Sequence, residues 1–257
     1  MSIGGRLMSG NLHMAFLGNN DELLGYFPYT INATAFTVQE EDGEAIQRIS
    51  RMRDNPGRVL EEEREEGQTN VAISVDTVSR ELLEIAFRGE AQSFDEAGGS
   101  ATSESVTAIL DKDVPLAKVL VSSVVVTDGE VSPTTYTAGE DYVVDVRNGL
   151  LRALSTGAIT EGQVLDVSYT FGARKGFKIP GGTRRFRNVA LLFDGKSRRQ
   201  ADSGKMYRIQ IHKVSLRMAN ELQLQQEGFM SFDFNGPAVQ HPSFVNLYDY
   251  EEYEEVV

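Results

Sequence analysis

Residues 71–89, Val71-Ala72-Ile73-Ser74-Val75-Asp76-Thr77-Val78-Ser79-Arg80-Glu81-Leu82-Leu83-Glu84-Ile85-Ala86-Phe87-Arg88-Gly89, join a strand directly to a helix. Val71, Ile73 and Val75 alternate with smaller residues, the period of a half-buried strand. Asp76 or Thr77 can cap the first free backbone amides. Val78, Leu82, Ile85 and Ala86 then recur at helical spacing, with Leu83 and Phe87 widening the stripe. The pattern predicts one amphipathic helix over about 76–88, stopped by Gly89 and lying on a sheet.

Outward from this stretch the chain reads as β structure, with period-two alternation and frequent turn residues. Leu12 to Leu17 and Thr30 to Gln39 are predicted strands. Between the second of these and Val71, residues 40–67 hold ten acidic and five basic side chains, with Ile46, Ile49, Met52, Val59 and Leu60 as the main large apolar ones. This is a long charged excursion between two strands. Its carboxylates Glu61, Glu62, Glu63, Glu65 and Glu66 lack the alternating oxygen ligands and central glycine of a calcium loop. They read as a solvated or interface-facing charge run.

Residues 92–105, with Gly98-Gly99-Ser100-Ala101-Thr102-Ser103, have linker or exposed-loop composition. From about 113 to 173 a set of short strands follows: Val119 to Thr127, Asp141 to Val146, Leu150 to Leu154 and Val164 to Phe171. Asn148-Gly149 is the signal of a two-residue type I′ hairpin turn. In the last strand Leu165, Val167, Tyr169 and Phe171 alternate with polar residues, so one face is expected to be buried. The apolar run Asn188 to Phe193 predicts a strand covered on both faces, ended by a turn at Asp194-Gly195. Tyr207 to Met218 predicts a long strand whose apolar parity switches near His212 and Lys213, the mark of a bulge. Met230 to Phe234 alternates until Pro237, and the acidic, aromatic segment 248–257 is expected to be a disordered tail or an arm that docks on a neighbour.

Composition excludes several classes of function. The chain has no cysteine and three histidines, which rules out disulfides and thiolate metal sites and leaves little for an imidazole centre. The formal charge of -13 opposes wrapping around nucleic acid or lying on an anionic membrane. The apolar stretches fall short of the roughly 20 residues of a membrane span, and Met1 to Arg6 carries no signal-peptide core, so a soluble product is expected. Phe193-Asp194-Gly195-Lys196-Ser197 is similar to the end of a phosphate-binding loop, but Ala190 stands where the first glycine belongs and no helix pattern follows, so it reads as a hairpin turn. His13, His212 and His241 belong to no catalytic motif, and His212 is expected to face solvent or an interface. Asn32-Ala33-Thr34 matches a glycosylation acceptor without a secretion signal. No catalytic, cofactor or metal residue is nominated, and no enzyme activity is expected.

Charge is segregated along the chain. Residues 172–213 hold twelve lysines and arginines against two acidic residues, whereas 40–66 and 249–257 are acidic. Arg174, Lys175, Lys178, Arg184, Arg185 and Arg187 precede the apolar strand, and Arg198 and Arg199 follow it. Three readings stand: ordinary surface charge, a nucleic-acid patch that lacks a recognition helix or stacking aromatics, and contact between copies, acidic loop against basic face. The last is heterologous and stacks without limit unless its rotation closes.

Three stretches carry a resemblance: Thr30 to Gly89; Gly139-Glu140-Asp141-Tyr142-Val143-Val144-Asp145 through Asn148-Gly149-Leu150 to Val167-Ser168-Tyr169; and Asn188 to Gly195 with His212-Lys213-Val214-Ser215-Leu216. In their order of elements the chain resembles the major tail tube proteins of long-tailed bacteriophages, whose fold is shared with type VI secretion tube subunits. The resemblance implies a mainly β fold, a two-sheet sandwich or barrel with one flanking helix, built from 1–112 and 174–257 as a discontinuous core. It implies that 113–173 is a small Ig-like module, either a decoration or an extension of the tube sheet. Residues 40–67 would be the loop that reaches the adjacent ring. The expected function is a structural virion subunit forming stacked hexameric rings, a conduit that DNA passes through without specific binding. Its partners would be copies of itself and, at the tube ends, tape measure, terminator and distal tail proteins. It would assemble in the host cytoplasm, with no cofactor and no membrane. The inter-subunit residues would be Glu61, Glu62, Glu63, Glu65 and Glu66 against Arg174, Lys175, Arg184, Arg185, Arg187, Arg198 and Arg199. The alternative is a carbohydrate- or surface-binding β module of a virion or adhesin.

Overall fold

The computed structural model describes residues 8–198, 204–223, 225 and 227–254, and in it the chain is mainly β with a single helix among the described residues. It divides into two compact units, Met1–Ala91 with Ile179–Val257, and Gln92–Lys178. The larger unit opens with β1 (Met8–Leu17), β2 (Leu23–Tyr26), β3 (Ala33–Glu40), β4 (Ala45–Ile49), β5 (Val59–Arg64), β6 (Thr69–Val75) and α1 (Arg80–Ala86). The smaller contains β7 (Gln92–Glu96), β8 (Gly99–Thr107), β9 (Asp113–Pro115), β10 (Val121–Thr127), β11 (Tyr142–Asp145), β12 (Leu150–Ala153), β13 (Val164–Phe171) and β14 (Arg174–Lys178). The chain then returns to the larger unit for β15 (Arg187–Ser197), β16 (Lys205–Met218), β17 (Phe232–Pro237) and β18 (Tyr248–Glu254).

In the larger unit the strand order is β2-β1-β15-β16-β17-β6-β3, with β18 also paired to β16. The chain leading into β3 turns back onto β1: Phe27 N–H donates to the Met14 carbonyl and Ile31 N–H to that of Leu12, both at 2.9 Å. The two ends of the order are thereby tied together, and Phe36 of β3 stacks on Phe193 of β15 at 5.6 Å between centroids. Inside lie Leu12, Met14, Ile73, Leu191, Ile211 and Phe232, closed over by Leu82 and Ile85 of α1. On the other face of β15, Ala190 packs with Ala15 and Leu17, so that strand is covered on both sides.

The helix begins later than its pattern predicts. Ser79 is the cap, its Oγ accepting from the Leu82 amide, and Val78 is left exposed. Asp76 and Thr77 are occupied instead by Asn32, whose Nδ2 donates to Asp76 and whose backbone N–H donates to Thr77 Oγ1. The stop also differs: Arg88, at φ +53°, takes the left-handed conformation ahead of Gly89.

Three further expectations are corrected. Asp194-Gly195 is not a turn, because β15 runs on to Ser197 with Gly195 paired to both Gly10 and Tyr207. A side-chain carbon at Gly195 would stand 2.6 Å from the Phe193 ring, which covers the glycine pair. Asn148-Gly149 is not a two-residue type I′ turn, since of the pair only Gly149 has positive φ and the connection spans 146–149; Gly149 N–H closes onto the Asp145 carbonyl and the Asp145 carboxylate accepts from the Arg147 and Asn148 amides. Residues 248–254 are neither a disordered tail nor an arm on a neighbour: they form β18 and pair with Lys205 to Ile211 of their own sheet. The bulge in β16 is present, with Val189 opposite Val214 and Leu191 opposite Ile211, leaving His212 and Lys213 as the extra length.

The smaller unit is two three-stranded sheets, β10-β13-β8 and β11-β12-β9, around Val106, Val126, Tyr142, Leu151, Leu165 and Val167. Its boundary falls at Gln92, not at 113. The Gly- and Ser-rich segment that reads as a linker is β8, hydrogen-bonded to β13, and β7 pairs with β14 where the chain enters and leaves. Backbone ladders rather than apolar side chains hold this segment, so hydrophobic periodicity does not register it.

Candidate interaction surface

The excursion between β3 and β6 is a β-hairpin, β4 against β5, with every residue of both strands exposed. Ile46, Ile49, Met52, Val59 and Leu60 all stand in solvent, Ile46 at 62% of its full exposure. The tip is nonetheless ordered by its own contacts. Ser50 is buried, its Oγ donates to Asn55 Oδ1 at 2.7 Å, and its carbonyl accepts from Gly57. At the base the two arms come very close, Glu41 N–H donating to Gln68 C=O at 2.9 Å. A side-chain carbon at Gly67 would meet the Glu41 carbonyl, so glycine is required there. A two-stranded hairpin alone is marginal in water, and each large apolar side chain left uncovered forgoes about 1.5–3 kcal/mol of burial.

Cross-strand partners share a face, so the register sorts the acidic residues. Glu63 lies opposite Ile46 and Glu61 opposite Arg48, while Glu62 lies opposite Gln47 on the other face. The Arg64 guanidinium, then the Gln47 amide, hold Glu62 below the usual carboxylate range. Glu61 has only a 3.6 Å approach to Arg48. Glu63 makes no ion pair with any described residue. Glu65 and Glu66 follow the strand, Glu65 N–H donating to the Glu44 carbonyl.

At the base of the hairpin, a groove of about 830 Å³ crosses the outer face of β3, β6, β17 and β16. Its floor is two rows set by register. Thr37, Ala72, Asn235 and Arg217 form one, and Gln39, Asn70 and Pro237 the next. Their neighbours Phe36, Val71, Phe234 and Leu216 point into the core, so these side chains face outward. Arg185 and the half-exposed Phe186 form a wall, and Glu41 at the rim accepts from Asn70 Nδ2. Asn235 Oδ1 is solvent-inaccessible with no hydrogen-bond partner among the described residues.

The basic segment 172–213 does not form one patch. Arg174 and Lys175 on β14 pair with Glu96 and Asp95 of β7. Lys118 and Arg174 together hold Glu96 below the usual carboxylate range. Arg184 pairs with Glu90, Lys205 with Glu252, Arg208 with Glu251, and Lys213 with Asp21. Arg187 lies 4.1 Å over the Phe16 ring, half-buried, with its guanidinium pKa pushed down by that burial. Arg198 follows β15 in solvent, and Arg199 lies outside the described residues. Among the nominated arginines and lysines, Arg185, Arg187 and Arg198 make no ion pair with any described residue, and of these Arg187 is engaged by the Phe16 ring. The sequence missed the groove, because Thr37, Asn70, Asn235 and Arg217 are far apart in the chain and only sheet order brings them together.

His212, expected to face solvent or an interface, is instead buried within its own chain. Its imidazole lies flat on Phe244 at 3.8 Å, with Nε2 3.1 Å from an Asp249 oxygen but outside hydrogen-bond alignment. His241 accepts from Ser243 N–H at Nδ1, so Nε2 carries the proton it directs to the Asp21 carbonyl at 2.9 Å. Both rings pin the 239–247 segment onto the sheet. Among the described residues no three histidine, aspartate or glutamate side chains converge as metal ligands, and no helix is long and apolar enough to cross a membrane.

A family model described as Protein of unknown function UCP028589 matches residues 7–247, which spans both units, and the chain belongs to that family. No curated protein matches the chain.

Proposed function

We propose that this member of the UCP028589 family is a non-catalytic structural subunit of a bacteriophage tail tube, assembling into hexameric rings that stack into a conduit for DNA. The β4–β5 hairpin carries the reading. It is an ordered arm whose five large apolar side chains all stand in water, so the element has no core of its own and joins neither of the chain's two cores. Apolar surface on an ordered, exposed element marks a protein contact, and a second copy is the partner that a self-assembling subunit always has at hand. The order of strand, hairpin, strand and helix supports the tail tube reading through the resemblance that it carries. The charge of -13 suits a bore that repels DNA. On this reading the protein resides in the virion tail after assembly in the host cytoplasm, with tape measure, terminator and distal tail proteins at the tube ends.

Negative-stain imaging of the concentrated protein is expected to show rings or tubes, and monodisperse monomers under all conditions would overturn the proposal. Replacing residues 45–64 by a short turn is expected to leave a folded subunit that forms at most single rings. Tubes of unchanged length from that variant would remove the hairpin from the mechanism. Charge reversal at Arg184 and Arg187 is a poorer probe than the sequence alone suggests, because each is engaged within its own chain. Arg185 isolates the effect.

A further inference from the structure

The groove and the hairpin are complementary surfaces of one chain that the chain does not bring together. No residue from 42 to 67 lines the groove, although Glu41 and Gln68 at the hairpin base stand on its rim. The hairpin of the same subunit therefore leads away from it. Within the groove Arg185 and Arg217 have no ion-pair partner among the described residues, and the rim carboxylate of Glu41 is already engaged by Asn70. The floor offers amide and hydroxyl groups at Gln39, Asn235 and Thr37, able both to donate to and to accept from an extended backbone. The Ile46 face of the hairpin carries Glu61 and Glu63, both exposed and with no strong partner of their own. Ala72 puts only a methyl group on the floor, and with the half-exposed Phe186 ring of the wall it supplies the groove's apolar surface for Ile46.

We infer that the groove across β3, β6, β17 and β16 receives the Glu61–Glu63 face of a second copy's hairpin, with Arg185 and Arg217 meeting the two carboxylates. This deepens the self-assembly reading and rests on it. The contact is heterologous, since groove and hairpin are different surfaces, so each subunit offers one of each and the interaction propagates. A free polyanion is the competing occupant for two arginines. The net negative field of the chain disfavours it.

The test is a charge exchange in the full chain, read by sedimentation velocity over a concentration series, with near-UV circular dichroism as the fold control. Arg185→Glu with Arg217→Glu is expected to raise the assembly concentration about tenfold, and Glu61→Lys with Glu63→Lys to do the same. The four substitutions together are expected to return it to within about threefold of wild type, the non-additivity that marks a direct pair. Wild-type assembly by both double variants, or losses that add in the quadruple variant, would overturn the groove assignment and leave self-assembly standing. A wild-type chain that stays monomeric overturns both. Wild-type binding of a single-stranded oligonucleotide that Arg185→Glu with Arg217→Glu abolishes, with assembly unaffected, would assign the groove to a polyanion instead. The chain has no cysteine, so a mixture of Gln39→Cys and Glu63→Cys single variants gives an independent readout. Bis-maleimide heterodimers well above either variant alone support the contact. Assembled tubes without them overturn it.

Discussion

Ser79 shows how a single residue is chosen by its surroundings. Asp76, Thr77 and Ser79 are all competent to cap the helix that follows, and local sequence does not rank them. Asn32, from the chain ahead of β3, occupies the first two, and the Ser79 hydroxyl donates to the Tyr29 phenolic oxygen at 2.7 Å. Tyr29 donates its own proton to Glu81, and burial with that carboxylate drives its pKa upward. Ser79→Ala is expected to destabilise the larger unit by about 1 kcal/mol, the usual cost of a lost cap. Thr77→Ala should leave the helix capped. Chemical denaturation of the two variants side by side checks this, and equal losses would return the cap to the position that the pattern suggests.

At the scale of elements, the apolar patterns of β1, β6, β13 and β16 are legible because each strand alternates against a core, and that of β15 because an unbroken apolar run marks a strand covered on both faces. The elements that escaped are held by other forces. β8 is Gly- and Ser-rich and rests on its ladder to β13, while β18 is acidic and pairs with the basic start of β16, Lys205 to Glu252 and Arg208 to Glu251. Tyr248 at the head of β18 also donates its hydroxyl to Glu40 at the end of β3. Truncation after Leu247 uncovers the edge of β16 from Lys205 to Ile211. The expected outcome is faster hydrogen exchange at the amides that β18 protects, together with aggregation through the opened edge. Unchanged exchange there would show that β18 adds nothing to the sheet.

For the whole molecule, two separate cores predict two separate responses to mutation. Leu82 is fully buried in the core of the larger unit and Leu165 in that of the smaller. Each leucine cut to alanine is expected to cost about 2–5 kcal/mol. In urea, followed by near-UV circular dichroism or hydrogen exchange, Leu82→Ala should lower one transition and Leu165→Ala the other. A single transition moved equally by both would show that the units unfold as one. Composition and periodicity alone determined a mainly β chain without thiol chemistry, its one helix behind a strand, the bulge at His212 and Lys213, and a charged excursion carrying apolar residues. Those signals are local, since a residue's period reports which face of its own element meets a core. Only the tertiary structure decided that the smaller unit begins at Gln92, that the acidic C-terminal segment is a strand of its own sheet, and that half of the lysines and arginines of the basic segment 172–213 pair within the chain. It also decided that Thr37, Ala72, Asn235 and Arg217 make one row. The reason is that strand partners lie tens to hundreds of residues apart, and a local window records a side chain's burial without recording the strand that buries it.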